Sequence, residues 1–452
     1  MREMERTSNE SRLHAIDARV EGRNITLRLS NAQQIVFPVD DFPLLASASA
    51  AQLAQITLRL NGTALRWEEI DEDISLRGIV TRYGKKNMML KKEFKICLNA
   101  PAFLGDADQK GVWRTPPIKA MLREWWRVAA APEQGYRHEQ LRQNEGKLFG
   151  NAWLDDDFSK SLVRLALEHW HAGKMTALDN DPKVTHPEVK FPVGSQLYLG
   201  YGPLIFQQGV KLKNGAALQA NETNTLSLAY PDDPTQKIEQ TLQLIDWFGT
   251  LGGRSRNGWG SLSLSGQSTL TRQHGTLTGV LRPLDDCLKL DWPHAIGQDS
   301  EGPLIWESSA SFSDWQAAMK FLAQTKIGFR TQESISFKNG IPHPNEGKRK
   351  NNWQLHRQPE ERHLLAYPVT HHEVSKQRQR GDEKPDWGDG RLVNQLRFKL
   401  FRDAAGQLRT RIYHTPHACP LPTTMSAAQQ VAVWQTVHRW LDQQATLTRL
   451  GA

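Results

Sequence analysis

Lysine is absent from the first 82 residues of this chain and frequent in the 370 that follow. Residues 1–82 hold 10 Arg against 12 Asp/Glu, a net charge of −2, so the overall +8 leaves +10 on the rest, beginning with Lys85-Lys86 and Lys91-Lys92. Such a break marks a domain boundary and predicts a small acidic body followed by a large basic one suited to a polyanionic partner. At 452 residues, 38% apolar and 23% charged, the chain has the length for two or three globular domains. No apolar run reaches the ~18 to 20 residues of a membrane span. The opening Met1–Arg6 lacks the apolar core of a secretion signal. Cys97, Cys287 and Cys419 are scattered, with no C-x-x-C, which disfavours a disulfide framework. The expectation is a cytoplasmic protein with no membrane contact.

Residues 1–82 read as a small α+β domain. Val20, Ile25, Leu27 and Leu29 alternate with polar residues, as do Ile35, Phe37 and Val39, predicting short strands turned at Glu21–Asn24 and Ser30–Gln33. A helix is expected between Phe42 and Gln55. The segment closes with Trp67-Glu68-Glu69-Ile70-Asp71-Glu72-Asp73-Ile74-Ser75. Asp71, Glu72 and Asp73 point in different directions on a strand or turn, and no His or Cys joins them, so a solvated turn or a protein contact fits better than a metal site. This ending resembles that of a small bacterial domain of unknown function, over about residues 12–80. The domain reads as an interaction module whose partner the sequence does not name.

After a linker at 83–92 comes the basic body. A strand is expected over 94–98, then a loop with Phe103-Leu104-Gly105 that runs to Arg114. A helix follows over 116–129, with Thr115 as N-cap and Pro116 in the first turn. Ile118, Met121, Leu122 and Trp125 form its core stripe. Lys119, Arg123, Trp126 and Arg127 share another face, where cations beside an aromatic ring suit phosphates and stacked bases, or a plain solvated surface. Farther on, Gly252-Gly253-Arg254-Ser255-Arg256-Asn257-Gly258-Trp259-Gly260 joins an expected helix at 234–248 to a strand at 259–264. Its glycines permit close backbone approach and its arginines offer forked phosphate contacts. It lacks the Lys-Ser/Thr of a P-loop, and its helix-loop-strand order is not that of a dinucleotide fingerprint.

Together these segments resemble the first subunit of Cmr-type CRISPR effector complexes. The strand, the Phe-Leu-Gly loop and the proline-capped helix carrying Arg123-Glu124-Trp125-Trp126-Arg127 are similar to that family, as is Glu145-Gly146-Lys147-Leu148-Phe149-Gly150. The glycine loop at 252–260 resembles that of the wider repeat-associated (RAMP) superfamily. Arg391-Leu392-Val393-Asn394-Gln395-Leu396-Arg397 is similar to a late segment of the family, with Asn394-Gln395 in place of Ser-Pro. The resemblance spans about residues 90–445. It implies an α+β chain of two ferredoxin-like (RRM-type) RAMP units, at 93–270 and 271–452, preceded by the small α+β domain at 1–82. Further strands are then expected near 161–168, 196–201 and 225–230 in the first unit. The second has a strand at 303–309, a helix at 313–323, a hairpin of 391–402 with 407–413, and a last helix. Ser426 and Gln429 would open that helix as a capping box, with Val433, Val437, Trp440 and Leu441 on one face. Lys348–Arg411 holds 15 Lys/Arg against 8 Asp/Glu, interleaved with Trp353, Tyr367 and Trp387. Within it Lys348–Lys350 and Ser375–Lys384 read as basic loops.

Catalytic sets are scarce. His371-His372 lacks a partner, and His414, His417 and Cys419 lack a fourth metal ligand. Asp106 and Asp108 read as turn formers, so neither catalytic residues, a metal nor a cofactor is expected. The resemblance implies a non-catalytic RNA-binding subunit of a type III CRISPR effector, with guide RNA, target RNA and other RAMP subunits as partners. The expected RNA contacts are Arg114, Lys119, Arg123, Trp126, Arg127, Gly252, Gly253, Arg254, Arg256, Gly258, Trp259, Arg391 and Arg397. A metal-independent endoribonuclease that processes CRISPR RNA, and an adaptor acting through residues 1–82, are the alternatives.

Overall fold

The computed structural model describes residues 13–30, 34–84, 89–152, 158–178, 180–232, 235, 237–266, 277–342, 353–374, 390–421 and 423–451. Asn31–Gln33, Lys85-Lys86, Pro234, Lys348–Lys350, Ser375–Lys384 and Trp387 lie outside them. The chain divides into two compact units. One is residues 1–91 with 162–164 and 229–236; the other is 92–161, 165–228 and 237–452.

The N-terminal domain is built on two three-stranded antiparallel sheets, β1 (Ala15–Glu21), β2 (Asn24–Leu29), β3 (Gln34–Pro38) and β4 (Thr57–Arg59), β5 (Ala64–Trp67), β6 (Glu72–Ser75). Ile25, Leu27 and Leu29 alternate into the core, as the period-two pattern requires. Between the sheets stand two one-turn helices, Pro43–Ala46 and Ala50–Leu53, rather than one longer helix. Ser49 breaks the run because its side chain and that of Gln52 form a capping box that starts a new helix there. Asp71 and Asp73 both accept hydrogen bonds from Arg66, at 2.7 and 2.8 Å, so two of the three acidic side chains brace a turn.

The first unit runs β7 (Met89–Leu98), α1 (Thr115–Ala130), α2 (His138–Phe149), β8 (Arg164–Leu167), β9 (Thr223–Pro231), α3 (Ile238–Phe248) and β10 (Leu262–Gly266). Its sheet order is β10-β7-β9-β8. Counting the four strands in chain order gives 4-1-3-2, the ferredoxin-like arrangement. Ile118, Met121, Leu122 and Trp125 are buried as expected, and Trp125 stacks on Phe248 of α3 at 5.3 Å. The N-cap is Arg114 rather than Thr115, with Pro in the first turn. The segment expected as a strand at 196–201 is a helix, Ser195–Gly200. The Asp181 carboxylate accepts from the amides of Gln196 (2.8 Å) and Leu197 (3.4 Å) and anchors a helical turn there.

The second unit runs β11 (Ile305–Ser308), α4 (Trp315–Thr331), β12 (Leu396–Arg402), β13 (Leu408–His414), α5 (Ala427–Asp442) and β14 (Leu447–Arg449). Its order, β12-β13-β11-β14, is 2-3-1-4 and antiparallel throughout, the same topology read from the other edge. The Ser426/Gln429 capping box is present. Helix α4 extends eight residues past its expected end at Ala323. β12 starts at Leu396 rather than Arg391, because Gln395 pairs by both side-chain ends with the backbone of His417 (2.9 Å each), which diverts the chain from the ladder.

The two ferredoxin-like units are pinned at the end of α3. Of its last four carbonyls, Ile245 O accepts from Gly249 N (2.7 Å), and Asp246 to Phe248 would be orphans in an isolated helix. Lys399 of β12 donates to Ile245 O (3.0 Å) and Asp246 O (2.5 Å), Arg411 of β13 to Trp247 O (2.7 Å), and Tyr413 to Phe248 O (2.9 Å). Cations at a helix C-terminus also complement its dipole.

Candidate nucleic-acid interface

Two loops meet at the edge of the first unit. The loop from Pro101 to Arg114 is closed by Asp106, whose carboxylate accepts from Lys110 N (2.8 Å), and by Arg114, which donates to Gly105 O (2.6 Å). The glycine-rich loop lies against it: Gly253 N donates to Phe103 O (2.9 Å) and Gly260 N to Pro101 O (2.7 Å). Gly252 has φ +83°, and a Cβ there would stand 2.4 Å from Phe103 O. Close backbone approach explains this glycine without a ligand.

Between the loops lies a cleft of 370 Å³ whose walls include Phe103, Gly105, Gly202, Lys213 and Gly253. Much of that wall is backbone, open to close approach. Arg254 is exposed at its rim, its guanidinium beside Gly202. A short hairpin, Leu204–Phe206 paired with Val210–Leu212, rises from the same wall. Tyr201 and Phe206 are 67% and 64% exposed, and Lys211 and Lys213 are exposed beside them. Exposed cations and exposed rings on one segment form a surface for phosphates and unpaired bases. Sequence reading missed these four residues, although Gln208-Gly209 between short apolar runs is a hairpin signal.

The other expected contacts are placed differently. Arg123 and Arg127 of α1 both bind Glu145, at 2.5 Å and 2.7 Å, around a carboxylate that is almost fully buried. Burial raises the Glu145 pKa, but hydrogen bonds from Arg127 and Arg123 outweigh it and hold the group below its ordinary value. Burial, with Arg123 nearby, pushes the Lys119 pKa down. Trp126 is buried with its ring edge-on to Phe149 (5.9 Å), and Trp259 is fully buried, 4.7 Å from Phe103. Both are core residues, which corrects their expected role as stacking surfaces. Arg397 is buried and paired with Glu124 at 2.6 Å. Arg256 lies in the same ion cluster, where burial and then Arg397 push its pKa down to about 10. Both tie the units together rather than face solvent. Gly258 is buried among Leu322, Met319 and Leu400. Arg391 is exposed and, among the described residues, donates to its neighbour's carbonyl, Gly390 O, at 3.5 Å. Among the described residues no group of His, Cys, Asp and Glu could hold a metal ion; His414 contacts His438 at 3.0 Å instead. No helix among them is long and apolar enough to cross a membrane.

Residues 101–263, which carry both loops and the cleft, match the RAMP superfamily. The chain carries a RAMP domain. Residues 15–84 match a protein family of unknown function, DUF2442. No curated protein matches the chain. Among solved structures, a protein of unknown function from Rhodospirillum rubrum is 29% identical over 16% of this chain and 87% of its own, with a TM-score of 0.15. Cmr1 from Pyrococcus furiosus is 14% identical over 79% and 98%, with a TM-score of 0.37. A chain of the type III-B Cmr-beta complex bound to cognate target RNA is 13% identical over 78% and 100%, with a TM-score of 0.40. The RAMP domain thus contains the whole cleft, with Arg254 and the Tyr201–Lys213 hairpin at its rim.

Proposed function

We propose that this chain is a non-catalytic RNA-binding subunit of a type III CRISPR effector, and that RNA lies along the cleft of its RAMP domain. The observation that carries the reading is the meeting of two glycine-rich loops at a cleft whose wall includes Lys213, with the exposed Arg254 beside its Gly202 and with Tyr201, Phe206 and Lys211 exposed on the adjoining hairpin segment. The RAMP match and the order of the family motifs support the effector assignment. Phosphates would pair with the rim cations while unpaired bases stack on the two rings. The N-terminal domain, with a hydrophobic core of its own, would serve as a contact module for another component.

The test is RNA affinity of the purified chain across a salt series. Arg254→Ala with Lys213→Ala should weaken binding to single-stranded RNA and flatten the salt dependence by about 1.4 in slope, or ~0.7 per lost phosphate contact. Unchanged affinity and slope would remove the cleft from consideration. Incubation with CRISPR transcript in EDTA separates binding from cleavage: intact RNA is expected, and metal-independent cleavage would make the chain a nuclease instead. Co-purification from its native host should recover guide RNA with other RAMP subunits.

A further inference from the structure

Two of the three cations of helix α4, Lys326 and Arg330, lie four residues apart on one face. Both are more than nine-tenths buried, at 9% and 7% exposure. Lys326 donates to Asn257 Oδ1 of the glycine-rich loop at 2.8 Å, and its ammonium lies 5.9 Å from the centre of the Tyr198 ring. Arg330 makes no hydrogen bond or ion pair with any described residue; its electrostatic neighbours are Tyr198, Arg362 and Glu188. Glu188 is already held at both oxygens by Arg362. Arg330 and Arg362 therefore share one carboxylate, while Lys326 is surrounded by the positive charge of Arg330 and Arg254.

A guanidinium cannot escape burial by losing its proton, and a buried charge without a counter-charge is strongly unfavourable. The small remaining exposure gives solute ions access. A chloride could meet one cation, but a tetrahedral oxyanion can accept from the Arg fork, the ammonium and a tyrosine hydroxyl at once. We propose that Lys326 and Arg330, with Tyr198, form a binding site for a phosphate group beneath the glycine-rich loop. That group can be inorganic phosphate or a phosphodiester of an RNA entering from the cleft rim at Arg254. The site follows from the charge imbalance and stands without the RNA reading.

The experiment melts the full-length protein in phosphate and in chloride at equal ionic strength, beside Arg330→Met and Lys326→Met. Phosphate should raise the wild-type midpoint saturably, since a ligand of the folded state stabilises it. Each methionine variant should melt at or above wild type in chloride, having lost a buried unpaired charge, and should ignore phosphate. The variants and wild type are then compared for binding to a 20-nucleotide single-stranded RNA. A loss of about tenfold, one charge-assisted contact's worth, assigns the phosphate to the RNA backbone; unchanged RNA affinity with a lost phosphate response assigns it to the free ion. The proposal is overturned if the variants keep the phosphate response. It is equally overturned if wild type shows no phosphate response while both variants bind RNA as wild type does. Should Arg330→Met fail to fold, Lys326→Met decides. Absence of RNA binding by wild type would remove the effector reading but leave the ion titration to judge this site.

Discussion

The hairpin β12–β13 and the cleft rim are both rich in cations, and they use them in opposite ways. In the hairpin, Arg397, Lys399 and Arg411 are buried and end on Glu124, on the carbonyls of α3 and on Glu307. At the rim, Arg254, Lys211 and Lys213 face solvent. In β7 of the first unit, alternate residues are exposed, whereas β12 is buried on both faces up to Arg402. A strand covered on both faces must give every polar side chain a buried partner. Basic composition thus reports neither exposure nor nucleic-acid contact; the partner decides.

The strongest way to break this contrast is to remove a hairpin cation. Arg411→Met leaves Glu307 and Trp247 O without their donor, and loss of one member of a buried pair costs about 3–5 kcal/mol. Urea unfolding should show that loss, while RNA affinity of the folded protein stays at the wild-type value. A fall in affinity with normal stability would place Arg411 in the interface instead.

Glu145 tests the α1 face in the same way, with a smaller effect. Its pKa lies below the ordinary 4.5 because Arg127 and Arg123 outweigh its burial. The stability it contributes is therefore present above pH 4.5 and is lost as pH falls through the lower value of the folded state. Glu145→Gln should destabilise by about 2 kcal/mol at neutral pH and flatten the acid limb of the stability curve below pH 4.5. An unchanged limb would mean that the two arginines are free for another anion.

These cases show what the sequence reveals. Periodicity located Ile118, Met121, Leu122 and Trp125 in the core, and Ser426 with Gln429 located the start of α5, because these signals lie within a few residues of one another. The order of strands and helices came instead from the family resemblance, and it holds except at Ser195–Gly200. Trp126, Trp259, Arg256 and Arg397 looked like interface residues because what buries them is far away in the chain: Arg397 meets Glu124 across 273 residues and Lys399 meets Ile245 O across 154. The helix at Ser195–Gly200 escaped because its cap, Asp181, lies about fifteen residues upstream. With that helix missed, the adjoining hairpin of Phe206 was missed as well.

The sharpest comparison has the smallest effect on stability and lies within one loop, since Arg254 and Arg256 are two residues apart and differ in burial. Arg254→Met removes an exposed charge, so stability should change by no more than about 0.5 kcal/mol, while the salt slope of RNA binding drops by about 0.7. Arg256→Met should spare the slope. It takes a cation from the cluster of Arg397 and Glu124, where burial already pushes its pKa down to about 10, and leaves the slope alone. Replacing a charge disfavoured by burial with an apolar chain of similar length should leave the melting midpoint near wild type or above it. Paired salt titrations and melts of the two variants check both halves, and equal slopes would show that exposure does not select the RNA contacts in this loop.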